Sequence, residues 1–161
     1  MSVVSAQQEA FLAIATTAAA LGDAFDGVLA PHGLGRTQYN VLRILRGAGA
    51  AGLCRNEIRD RLLSRMPDVT RLLDRMEEAG LLARERSATD RRQVETRLTR
   101  RGRDLVDRLD AIVEAEHQRL LGHLGPEQLR TLQRLLALAR ECATTEASSM
   151  RCDHARHLRR G

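Results

Sequence analysis

Two stretches of this 161-residue chain have side chains of the type and spacing to grip a polyanion. In the first, Val69, Leu72, Leu73 and Met76 recur at i, i+3, i+4 and i+7, the apolar stripe of a helix. Pro67, Thr70, Arg71, Asp74 and Arg75 then fall on the opposite side. Arg71 and Arg75 are placed to bond guanine edges in a major groove, each such contact giving about 1–3 kcal/mol of discrimination. Asp74 and Glu78, three or four residues away, are placed to pair with them on the helix surface instead. In the second stretch, Ser87-Ala88-Thr89-Asp90-Arg91-Arg92 is a polar tip whose arginines suit a minor groove or the phosphates beside it. Arg55 and Asn56 open the preceding helix, where side chain and backbone amide together can hold phosphate.

The elements that must carry these residues follow from periodicity and turn signals. Ala6 to about Leu29 is alanine-rich and helix-favouring, with Phe11, Ile14, Leu21, Phe25, Val28 and Leu29 on a loosely helical period. Pro31-His32-Gly33-Leu34-Gly35 interrupts it, and a second helix runs from Thr37 to about Arg46, burying Tyr39, Leu42, Ile44 and Leu45. A third spans Cys54 to about Leu63, with Glu57 in the place of a capping-box glutamate. Gly80 suits the C-terminal stop of the arginine-bearing helix, and residues 81–86 and 93–98 are two short strands flanking the polar tip. Thr99 caps a long helix to about Leu124, with Leu105, Leu109, Ile112, Val113 and Leu120 as its apolar set. After Gly125-Pro126 a last helix runs to about Ala143 with Leu129, Leu132, Leu135, Leu136 and Leu138 apolar.

The fold these elements predict is mainly α: a winged helix-turn-helix with long N- and C-terminal helices forming a dimerisation lobe. Residues 1–36 and 104–145 make the helical lobe, residues 37–103 the DNA-binding lobe, and residues 146–161 a mobile basic tail. Leucine-rich terminal helices cannot hide their apolar face on so small a core, so they are expected to pair with a second copy of the chain.

Charge placement agrees with a nucleic-acid partner. All 26 basic residues are arginine, and between Gly52 and Arg103 there are 14 of them against nine acids, so this part of the proposed DNA-binding lobe alone carries a net +5, equal to that of the whole chain. At 2% aromatic residues, base stacking on aromatic platforms is excluded as the main mode of binding. No glycine-rich phosphate loop, nucleophile elbow or H-E-x-x-H spacing is present, so no enzyme is expected and no cofactor is implied. The chain shows no hydrophobic run expected to span a bilayer and no signal segment at Met1–Gln8, and its three cysteines are odd in number and widely spaced. The expectation is a cytoplasmic protein with no membrane partner.

These residues together resemble the MarR family of bacterial winged-helix transcription regulators over roughly Ala6–Ala143. The resemblance is carried by LGRTQYNVLRIL, by VTRLLDRMEEAGLLARER and by DRRQVETRLTRRG, the last ending its strand in Leu98-Thr99-x-x-Gly102. It implies a homodimer on a palindromic double-stranded operator, usually a repressor, released by a small ligand or by oxidation. Carried over by position, Arg91 and Arg92 match the wing-tip arginines and Asp90 the acid that holds them. Arg65, Pro67, Thr70, Arg71 and Arg75 match the surface facing the major groove. Met66-Pro67 departs from the serine or threonine usual at the start of that helix, and Cys54 stands where a serine or threonine usually caps the third helix, a weaker cap by about 1 kcal/mol. The family's effector pocket maps to Phe25, His32, Tyr39, Arg43 and Ile112, a lining suited to phenols or aromatic carboxylates.

Other readings of the same residues stay open. Cys54, at a helix start beside Arg55, has the surroundings of a reactive thiol, and Cys152, His154 and His157, or His32 with His117 and His123, hold metal-ligand chemistry, so the same fold could serve a redox- or metal-responsive regulator. A winged-helix protein-interaction module is the remaining alternative. No specific metal site is assigned.

Overall fold

The computed structural model of the chain describes residues 5–63, 68–86 and 93–157. It consists of two compact units, Met1–Leu120 and Leu121–Gly161. The first contains helices α1 (Ala6–Leu29), α2 (Arg36–Ala48), α3 (Arg55–Arg61), α4 (Val69–Glu78) and α5 (Arg100–Leu121), with strands β1 (Leu53–Cys54), β2 (Leu82–Arg86) and β3 (Val94–Leu98). The strands form one antiparallel sheet in the order β1-β3-β2, with Leu53 opposite Thr96 and Arg84 opposite Thr96 on its other side. This is the mainly helical winged helix-turn-helix expected from the sequence, with β1 as an addition. Two residues are too short for an alternating pattern to show, and Leu53-Cys54 becomes a strand only because β3 offers it an edge.

The core draws apolar residues from α1 to α5 and from β1 and β2. Leu29, Leu42, Leu45, Ile58, Leu73, Met76, Leu82 and Leu109 are fully buried, and Tyr39, Val69 and Leu72 nearly so. On α4 the buried set is the i, i+3, i+4, i+7 stripe of Val69, Leu72, Leu73 and Met76. Asp68 caps this helix, its carboxylate accepting the Arg71 N–H at 3.0 Å. At the other end Gly80 takes φ +70°, and the Leu81 N–H closes the turn on the Met76 carbonyl. That left-handed position is open to glycine at no steric cost.

The start of α5 is fixed by close approach. Thr99 Oγ1 donates to the Gly80 carbonyl at 2.7 Å and accepts the Gly102 N–H at 3.0 Å. A Cβ on Gly102 would lie 2.1 Å from the Leu81 carbonyl oxygen. With Gly102 held inward, the residues that follow it into the core are Val106, Leu109, Val113 and Glu116. This corrects the expected apolar set for the helix: Ile112 is rotated outward and is 40% exposed.

The second unit contains α6, Pro126–His157. It runs past the Ala143 end expected for it, through sequence expected to be a mobile tail, because no glycine or proline lies between Ala143 and His157 to stop it. Leu132, Leu135, Leu136 and Leu138 are exposed along it. Phe11, Leu12 and Ile14 are likewise exposed on α1. The expectation of no bilayer-length segment is corrected in one respect: Ala6–His32 is long enough and, at a mean hydropathy of 1.4, apolar enough to cross a membrane by length and composition. Many of its apolar residues are alanines, small side chains dispersed among polar residues, so no continuous run stood out.

Gly102→Ala should lower stability by about 2–3 kcal/mol in urea unfolding, because backbone must move to admit the methyl group. Gly47→Ala, with nothing within 4 Å of the added carbon, is the control and should be neutral or stabilising by up to about 1 kcal/mol.

Candidate nucleic-acid interface and effector cavity

Burial of its apolar stripe leaves α4 presenting Thr70, Arg71 and Arg75 outward. The Arg71 side chain is 82% exposed, and its nearest acid is its own cap, Asp68, at 3.7 Å. Arg75 folds along the helix, its Nε donating to the Arg71 carbonyl at 3.2 Å. Asp74, expected to pair with these arginines, turns instead to Arg84 on β2, at 2.7 Å. Arg55, from the start of α3, reaches Thr70 Oγ1 at 3.3 Å. Arg55, Asn56 and Thr70 therefore meet at one cavity of about 570 Å³, with Cys54, Leu73, Arg84, Gln93, Val94 and Thr96 on its walls. Arg65 and Pro67, and the tip residues Asp90, Arg91 and Arg92, lie outside the described residues.

Three features of this face were not singled out from sequence. Arg84 takes both Asp74 and Glu77, an arrangement across elements that spacing along one helix cannot reveal. Arg36 and Thr37, in the first turn of α2, line a second cavity of about 330 Å³ with Asp26, Gly35, Gln38, Leu72 and Arg75. Arg36 is tied to Asp26 at 3.0 Å and lies so close over Gly22 that a Cβ there would meet its guanidinium at 2.0 Å. The signal for that contact, a glycine in an otherwise alanine-rich helix, was present but had no partner assigned to it.

Cys54 caps α3 in the position expected. Its backbone N–H donates to the Glu57 carboxylate at 2.8 Å, the reciprocal half of a capping box. These contacts hold the Glu57 carboxyl below its ordinary range. The thiol is half-buried and free.

A different cavity, of about 320 Å³, lies between α2 and α5, lined by Tyr39, Arg43, Arg46, Asp110, Val113, Glu114 and His117. The Phe25 ring stacks on His117 with centroids 5.3 Å apart and meets Tyr39 at 6.1 Å. Of the sequence-derived lining, Phe25, Tyr39 and Arg43 are brought together. His32 and Ile112 are exposed and do not line the cavity, and His117 occupies the wall in their stead. Its partner on α5 is Glu114, at 3.8 Å from Nδ1. Burial pushes the Tyr39 hydroxyl above its ordinary pKa, against the pull of Arg43. Arg46 bridges Asp107 at 2.9 Å and Asp110 at 2.5 and 3.1 Å, joining α2 to α5 beside the cavity. Among the described residues no group of three or more histidine, cysteine, aspartate or glutamate side chains is placed to hold a metal ion.

A helix-turn-helix with an exposed arginine face, backed by a three-stranded sheet whose β2 and β3 lead to an arginine-bearing tip, defines a winged-helix protein. The MarR family profile matches residues 32–93. An HTH-type transcriptional regulator of Bacillus subtilis strain 168, YkoM, is 32% identical over 108 residues, covering 67% of this chain and 69% of that one. A MarR transcription factor from Planctomyces limnophilus is 37% identical, with a TM-score of 0.65 over 85% of this chain and 99% of its own. The transcriptional repressor CouR, solved on a 23-mer DNA duplex, is 30% identical with a TM-score of 0.70, covering 80% of this chain and 89% of that one. The chain belongs to the MarR family of winged-helix transcription regulators, which are not enzymes.

The Arg84 fork holds the Glu77 carboxyl below the usual carboxylate range. A depressed pKa contributes stability above the unfolded value, about 4.3, which is lost as pH falls through the folded one. Glu77→Gln should therefore flatten the acid limb of the stability profile below about pH 5, read by thermal melts across pH, while changing little of its shape at neutral pH.

Proposed function

We propose that the chain is a cytoplasmic homodimer that binds a palindromic DNA operator as a repressor and is released by a small aromatic effector. The observation that carries the DNA reading is the 82% exposed Arg71, paired only with its own helix cap Asp68, on a recognition helix packed by its other face, with Thr70 and Arg55 beside it. Arg71 would read base edges, Arg55 and Asn56 would hold phosphate, and Arg75 would reach the backbone near the start of α2. Arg65, Pro67 and the tip residues Asp90, Arg91 and Arg92 would extend the contact by their sequence positions. The exposed apolar residues of α1 and α6 support a second copy of the chain, rather than lipid, as their cover.

The effector reading rests on the cavity beside Phe25. It offers an aromatic wall, a phenol donor and the Arg43 guanidinium, a set suited to a planar ring bearing a carboxylate or phenolate. A ligand favouring the DNA-free state by about 100-fold supplies about 2.7 kcal/mol of coupling.

Operator titration by fluorescence anisotropy tests the first part. Arg71→Ala should weaken operator binding by roughly tenfold or more, and Arg92→Ala by several-fold, with melting temperatures unchanged. Unchanged affinity in both would overturn the assignment of the reading face. For the second part, a panel of aromatic carboxylates and phenols should contain a compound that lowers operator affinity, and Arg43→Gln should blunt that response while sparing DNA binding. Release by peroxide alone, abolished by Cys54→Ser, would replace the effector cavity with a redox switch.

A further inference from the structure

The recognition helix carries three acids against two arginines. In α4, Arg71 and Arg75 share ten residues with Asp74, Glu77 and Glu78. Left to the helix, Asp74 at i+3 from Arg71 would pair with it, and Glu77 would add a second uncompensated negative charge to the helix that faces phosphate; Glu78 stays exposed. Asp74 and Glu77 are instead withdrawn by one guanidinium from another element. Arg84, on β2, bonds Asp74 through Nη2 at 2.7 Å and Glu77 through Nε at 2.7 Å, with a further Nη2 contact to Glu77. Its own backbone N–H also donates to Glu77 Oε1, at 3.2 Å. The Arg84 side chain is 27% exposed, against 82% for Arg71, and lines the inner cavity with Thr70 and Leu73. Only a planar fork can serve two carboxylates from successive positions of one helix face in this way; an ammonium is a point charge.

We propose that Arg84 is a positioning residue for DNA recognition: it keeps Asp74 from Arg71, neutralises Glu77 on the same helix, and sets the wing strand against that helix. Arg84 raises specific affinity without touching a base. The proposal rests on the DNA-binding reading given above. It differs from a purely structural ion pair, which would add stability alone, and from a direct phosphate contact, which would add salt-dependent affinity on any duplex.

The test uses the full-length chain, a duplex that it selects from a random pool, and an unrelated duplex of equal length. Arg84→Lys keeps the charge and loses the fork. It should lower affinity for the selected duplex by roughly tenfold, leave the unrelated duplex within about twofold, and leave the salt slope unchanged. Asp74→Asn/Glu77→Gln, which removes the acids, should tighten the unrelated duplex and lower the ratio between the two. In that background Arg84→Lys should cost less than about twofold, since nothing remains for the fork to gather. Arg84→Lys with an unaltered ratio overturns the proposal, as does an equal loss on both duplexes or an equal loss in both backgrounds, either of which would mark a direct phosphate contact. Failure of the parent chain to select any duplex would overturn the DNA reading itself, and this inference with it.

Discussion

The first turn of α5 sits against the backbone of Leu81 with no room for a side chain between them, and much of the first unit depends on that contact. Thr99 and Gly102 make it together, the hydroxyl tying the end of the turn after α4 to the new helix and the missing Cβ letting the two backbones meet. Three elements therefore share one junction: the recognition helix ends there, β2 begins there and α5 starts there. The rotation of α5 about its axis follows from the same contact. Gly102 points inward, so Val106, Leu109 and Val113 do too, and the α5 face that meets Arg46 and lines the cavity is set by a glycine several turns away.

Ion pairs then divide the charges by task. Arg46 is occupied by Asp107 and Asp110, Arg84 by Asp74 and Glu77, and Arg36 by Asp26. These guanidiniums join one element to another. Arg71 pairs only with its own helix cap, Asp68, at 3.7 Å and remains at the surface. An excess of arginine in the sequence thus resolves into a structural set and a reading set, and the net charge of the lobe alone could not have separated them. Part-exposed pairs of this kind contribute modestly to stability, so their value lies in where they hold the elements.

Periodicity gave α4 and its buried stripe because that helix obeys one dominant requirement, an apolar face at helical spacing, whereas on α1 Phe11 and Ile14, on the same kind of period, are exposed. The same rule misassigned Ile112, since α5 carries apolar residues on more than one face and its rotation is decided by the backbone contact at Gly102. Cys54-x-x-Glu57 was legible because a capping box is local. Arg84 was not, because its partners lie on another element and become neighbours only when β2 folds back along α4. Pairing Asp74 with Arg71 was reasonable for an isolated helix and failed in the folded chain, where a better-buried guanidinium competes for the carboxylate. For the effector cavity, Phe25, Tyr39 and Arg43 were placed by resemblance to a family architecture. His117 was noticed as a histidine but not as a wall, because stacking on Phe25 joins two helices far apart in sequence. The end of α6 was misplaced by composition: polar residues suggested a tail, yet they include no helix breaker.

The chain contains no tryptophan and one tyrosine, and that tyrosine is Tyr39. It lies in the cavity wall, within reach of the Phe25 ring and close enough to Arg43 to feel its charge. With excitation at wavelengths that phenylalanine does not absorb, ultraviolet emission from the unmodified protein therefore originates at one place, and at the place where an effector is proposed to bind. A homodimer would carry two identical tyrosine emitters and no tryptophan to mask them. The scarcity of aromatic residues, which at the outset spoke only against base stacking, leaves the molecule with a native optical probe of its own sensory site.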